Sequence, residues 1–111
     1  MSIPTRPLLQ STSDPSVPAG LGWHEVELDG APFNLARFTV EPGCATPVDS
    51  HAVSEVWFVA RGVGELRYDG DHVIRIGEGD ALFLEPPRTH QVFNDGQDTL
   101  VVHSIYWEGL Q

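Results

Sequence analysis

Asp49, His51 and Glu55 are the residues of this chain whose types and spacing best suit chemistry. All three carry odd numbers within the run from Gly43 to Gly62, G-C-A-T-P-V-D-S-H-A-V-S-E-V-W-F-V-A-R-G. Side chains on an extended strand point to alternate faces with a period of two. A single strand through this run would send the three groups to one side, followed there by Trp57 and Val59. Two carboxylates and an imidazole turned into an apolar interior are costly without partners. A bound divalent cation is the simplest compensation. His90 is the best fourth candidate: it follows Pro86-Pro87 and opens the run His90 to Asn94, in which His90, Val92 and Asn94 share a face. His103, in the last apolar run with Val101, Ile105 and Trp107, is the first candidate for substrate contact.

The elements that would position these groups are strands. From Trp23 onward, short runs rich in Val, Ile, Phe, Leu and Tyr alternate with Gly, Pro, Asp and Asn clusters, the pattern of an all-β domain. The pattern predicts strands near 23–28, 33–41, 48–52, 54–61, 63–69, 72–76, 81–85, 89–94 and 99–107. Asp69-Gly70 between two such runs is a hairpin signal. No segment holds a helical period over three turns. Val56 and Phe58 face opposite to Trp57 and Val59, so this strand is expected to be covered on both sides, in a double-layered β-sandwich or in a barrel with one wall against another subunit. Trp57 and Phe83 are expected in the core. Arg37 reads as an exterior residue that would reach a substrate carboxylate only if its face turned inward. Residues 1–22 carry four prolines and no sustained period; they read as an extended arm, either along a sheet edge or as a tail, with the domain proper at 23–111.

Composition bounds the function classes. A chain of 111 residues with 41% apolar residues makes one folded domain. Six basic residues against sixteen acidic give a net charge of −10, which argues against nucleic acid and anionic membranes as partners. All six basic residues are arginine, so a Schiff-base lysine is excluded. The lone Cys44 cannot form an internal disulfide, and no apolar run is long enough to span a bilayer. A cytoplasmic location is the expectation.

Two stretches resemble the motifs of the cupin superfamily. The first motif, G-(x)5-H-x-H-(x)3-E-(x)6-G, falls on Gly43, Asp49, His51, Glu55 and Gly62 with every spacing kept and Asp49 in place of the first histidine. The second, G-(x)5-P-x-G-(x)2-H-(x)3-N, falls on Gly79, Glu85, Pro87, His90 and Asn94, matching at the glycine, histidine and asparagine. The resemblance covers roughly residues 33–107 and implies a jelly-roll (double-stranded β-helix) barrel. It further implies a homodimer and one divalent metal ion, Zn, Fe or Mn, held by Asp49, His51, Glu55 and His90.

The substitution at Asp49 leaves two arrangements open. Four ligands, two of them anionic, would weaken the ion as a Lewis acid and favour harder metals. Alternatively His51, Glu55 and His90 bind, and Asp49 orients a ligand or acts as a base. Three functions follow as expectations. The first is a metal-dependent small-molecule enzyme, of oxygenase, isomerase or lyase type, with Asp49 and His103 as catalytic candidates. The second, from a narrower similarity to cupin units fused to methionyl-tRNA-synthetase-like domains, is zinc-dependent nitrogen–nitrogen bond formation with a synthetase-like partner. The third is a small-ligand binder or sensor without catalysis.

Overall fold

The structure is a computed structural model and describes residues 8–108; Ile3 and the rest of the arm's first seven residues lie outside it. Among the described residues nine strands form: β1 (Ser11–Ser13), β2 (Leu21–Val26), β3 (Asn34–Val40), β4 (Ser54–Arg61), β5 (Val63–Tyr68), β6 (His72–Gly77), β7 (Ala81–Leu84), β8 (His90–Phe93) and β9 (Leu100–Trp107). Every pairing between them is antiparallel. One sheet has the order β1-β2-β3-β9-β4-β7, the other β6-β5-β8. Two sheets face each other in the jelly-roll manner without closing into one hydrogen-bonded barrel. Among the described residues no helix is long and apolar enough to cross a membrane.

The alternation of side chains decides which residues enter the space between the sheets. Phe38 and Val40 of β3, Trp57 and Val59 of β4, and Leu100 and Val102 of β9 point inward. They meet Leu66, Ile76 and Val92 of the smaller sheet. Asp69 and Gly70 both take positive φ, 56° and 85°, as the β5–β6 hairpin requires. Asn94 is fully buried and works as a clamp: its Nδ2 donates to the carbonyls of Val40 (2.7 Å) and Asp98 (2.9 Å), and its Oδ1 accepts from Gly96 N (2.9 Å). The asparagine of the second motif therefore fastens the end of β8 to β3.

Two expectations are corrected here. Residues 48–52 do not make a strand; the chain crosses between sheets there, with only a single bridge, Asp49 opposite His90. Phe83 is not core: it is 57% exposed on the outer face of the larger sheet. Val56, opposite it on β4, points the same way. The arm lies on its own sheet, since β1 pairs with β2 as an edge strand.

Candidate metal centre and the cavity above it

The three groups of the first motif converge, but not along one strand. Asp49 belongs to a segment that runs beside β8: Thr46 N donates to Val92 O (2.9 Å), Asp49 N to His90 O (3.0 Å) and His90 N to Asp49 O (2.9 Å). Glu55 is the second residue of β4, in the other sheet. His51 sits on the crossing between them. A period of two along a continuous strand predicted convergence; a loop joining two facing sheets achieves it.

Side-chain donor atoms of Asp49, His51 and His90 all lie within 4.8 Å of one another, a group able to hold a metal ion. Glu55 touches this trio through one oxygen. Its Oε1 is 2.9 Å from His51 Nε2 and 3.8 Å from His90 Nε2. Its Oε2 accepts from Trp57 Nε1 (2.8 Å) and from the Ser104 hydroxyl. The carboxylate is buried, and these two donors fix its orientation.

The donor set fits a divalent cation. His51 Nδ1 is 3.1 Å from the Val53 carbonyl, which only accepts, so Nδ1 carries the proton. In the neutral ring Nε2 then turns a lone pair toward a carboxylate oxygen, a repulsive contact that a cation between them would relieve. Two donors bound at right angles about 2.1 Å from one ion stand about 3 Å apart, close to the separation seen. His90 is equally short of partners: its Nδ1 is buried without one among the described residues, and its Nε2 lies beyond hydrogen-bond reach of Glu55. Burial holds the His90 imidazole below its ordinary pKa and His51 adds to the shift, while Glu55 and Asp49 oppose it. A neutral imidazole is the form that binds metal.

His103 is not brought to this site. On β9 the inward residues are Leu100, Val102 and Ser104, and His103 is exposed on the outer face, across from Arg37 and Phe58. One step of register separates the two roles: Ser104 is the β9 residue that contacts Glu55. Arg37 is exterior too. Sequence reasoning missed Ser104, because serine carries no signal of its own and the neighbouring histidine does.

A cavity of about 430 Å³ opens above the trio. Trp23, Phe38 and Trp57 form one wall, with Trp23 stacked on Phe38 at 6.0 Å and Phe38 edge-on to Trp57 at 4.9 Å. Val17 and Pro18, from the segment between β1 and β2, and Leu21 complete its apolar lining, and Tyr106 stands beside Glu55. No arginine is among the lining residues described.

With this geometry in hand, the comparisons with known proteins decide the family. The cupin-domain family matches residues 36–106, more than half of the chain. The chain belongs to the cupin family. Solved cupin structures superpose well at low identity. A predicted oxalate decarboxylase from Thermotoga maritima is 16% identical, with TM-score 0.75, 91% of this chain and 94% of that chain covered. The polyketide cyclase RemF from Streptomyces resistomycificus is 20% identical, with TM-score 0.72 and coverages of 96% and 78%. A cupin 2 conserved barrel domain protein from Salinispora arenicola is 24% identical, with TM-score 0.69 and coverages of 98% and 92%. At these identities the likeness is one of fold. In this cupin, Asp49 stands where the motif has its first histidine, within reach of the two that remain.

Proposed function

We propose that this cupin is a metal-dependent enzyme acting on a neutral, largely apolar small molecule that offers oxygen atoms to the ion. The observation that carries the proposal is the trio Asp49, His51 and His90 at the end of an aromatic-walled cavity. Glu55 would complete the ligand set through Oε1, the oxygen not held by Trp57 and Ser104. When bound, the ion would supply Lewis-acid polarisation of a substrate oxygen or a site for oxygen chemistry. The chain's own residues do the rest. Trp57 and Ser104 keep the Glu55 carboxylate aimed at the two imidazoles, and Val53 fixes the His51 tautomer. Trp23, Phe38 and Trp57 offer flat apolar surface to a planar skeleton and exclude water from it. Asp49, at the exposed edge of the trio, is the group positioned to hold a proton if it does not bind the ion directly.

Two of the structural neighbours are named as enzymes, which supports a catalytic reading. The cavity favours a substrate unlike oxalate: a small dianion would meet two carboxylates here and no lining arginine, whereas a larger apolar ring system matches both volume and wall. Elemental analysis of protein purified without added metal, then reconstituted, tests the reading. One ion per chain, held at least about tenfold more weakly on Asp49→Ala, is expected; a folded chain that takes up no ion from zinc, manganese or ferrous solutions overturns it. Saturable ligand binding without product would replace catalysis with the binding role.

We also propose that a second copy covers the outer face of the larger sheet. Val26, Leu35, Ile105, Val56 and Phe83 make an apolar row across five strands of that face. None of the outward positions of β2, β3, β9, β4 and β7 is acidic, in a chain of net charge −10. Two such chains repel each other least when these faces meet. The exposed Phe58 and Phe83 lie on β4 and β7, while His24, Arg37 and His103 lie on β2, β3 and β9, where a solvated rim can keep them wet.

A further inference from the structure

Behind the cavity wall, held by two of its lining residues, lies a carboxylate that the metal centre does not use. Glu25, on the inward face of β2, accepts from Tyr106 Oη at 2.6 Å through Oε2 and from Trp23 Nε1 at 2.9 Å through Oε1. The arrangement repeats the one at Glu55, where a carboxylate likewise receives an indole two residues away and a hydroxyl from β9. Between the strands of Glu25 and Tyr106 lies β3, whose inward residue there is Ala36, fully buried and too small to block the contact. Trp23 and Tyr106 both line the cavity.

The direction of the hydrogen bond sets what Tyr106 presents. A carboxylate only accepts, so the single phenolic proton is committed to Glu25. What remains for the cavity is the oxygen's lone pairs. We propose that Tyr106, its proton committed to Glu25, is a specificity residue that accepts a hydrogen bond from a hydroxyl or N–H group of the substrate. The substrate class is thereby narrowed to neutral ring systems with a chelating oxygen at one end and a hydrogen-bond donor elsewhere on the skeleton. This rests on the small-molecule reading above, and adds a second polar anchor to the metal end.

The test uses the zinc-loaded full chain, with quenching of tryptophan fluorescence as the readout. The probes are 2,3-dihydroxynaphthalene carrying a further hydroxyl at ring position 5 or 6, and the corresponding methyl ethers. At one of these positions the hydroxyl compound should bind the wild type at least about fivefold more tightly than its ether, the size of one hydrogen bond. The ratio should fall to about one in Tyr106→Phe, which keeps the ring and removes only the oxygen. In Glu25→Gln the amide can donate to the phenol and free its proton, so the preference should shift toward the ether. Equal ratios in wild type and Tyr106→Phe, or no hydroxyl preference at either position, absence of binding included, overturn the proposal. Repeating the titrations after chelation separates the two readings. Affinities unchanged by zinc removal would sink the metal site and leave the Tyr106 ratio standing; a zinc-dependent affinity with no Tyr106 effect would do the reverse.

Discussion

Asp49 and His90 are joined by two backbone hydrogen bonds, each residue's amide donating to the other's carbonyl, at 3.0 and 2.9 Å. The pairing brings two candidate ligands from distant parts of the chain side by side using main-chain atoms alone. Their side chains are therefore free for other work. Asp49→Ala keeps the bridge and removes an exposed carboxylate, so stability should change by less than about 0.5 kcal/mol. Metal affinity should fall at least about tenfold. Thermal melts of chelated protein and competition titrations with a zinc indicator measure the two effects separately.

Glu55→Ala should behave in the opposite way. It strands the Trp57 indole N–H and the Ser104 hydroxyl in a buried site. Each unpaired buried group costs about 1–3 kcal/mol, so a loss of about 2–6 kcal/mol is expected in urea unfolding even without metal. Glu55→Gln retains an accepting oxygen and should cost less while still weakening metal binding. A Glu55→Ala protein as stable as the wild type would show that these hydrogen bonds do not hold the site.

Acid should destabilise the chelated protein through His90. Its folded pKa lies below the unfolded value of about 6.5. Above that pH both states carry the neutral ring. As pH falls below it, the unfolded chain takes up a proton that the folded chain refuses until its own lower pKa, so the folded state loses stability through that window. Melting temperatures between pH 7.5 and 5.5 should drop, and the slope should be shallower in His90→Gln.

Gly62, which closes the first motif, is expected to resist any side chain. Its φ is 89°, and an added Cβ would sit 3.0 Å from Leu100 Cα and from the Thr99 carbonyl oxygen, both backbone atoms. Gly62→Ala should cost at least about 1 kcal/mol from the conformation alone, with the close approach adding to it. Gly43, also at positive φ but in open space, should lose less on the same change. Chemical denaturation of the two variants compares them directly.

The outer sheet face gives the last prediction. Phe58→Glu with Phe83→Glu places carboxylates where the face has none. Sedimentation velocity should show the wild type as a dimer and the double variant as a monomer with unchanged circular dichroism. A monomeric wild type at about 100 μM would leave this face without the partner assigned to it.

Much of this protein is written in local order along the chain. Period-two runs punctuated by Gly, Pro and Asp determined an all-β fold, and the spacing of Asp49, His51, Glu55 and His90 pointed to one site, because strand alternation and turn chemistry act over a few residues. What only the tertiary structure decided depends on register between strands distant in sequence. A shift of one residue in β9 exchanges Ser104 for His103 at the Glu55 carboxylate, and both residues look plausible in isolation. The same holds for Phe83, apolar yet turned outward, and for Glu25 and Tyr106, whose contact spans 81 positions across the small side chain of Ala36. Alternation says that neighbours face opposite ways; only packing of one sheet against the other says which way is in.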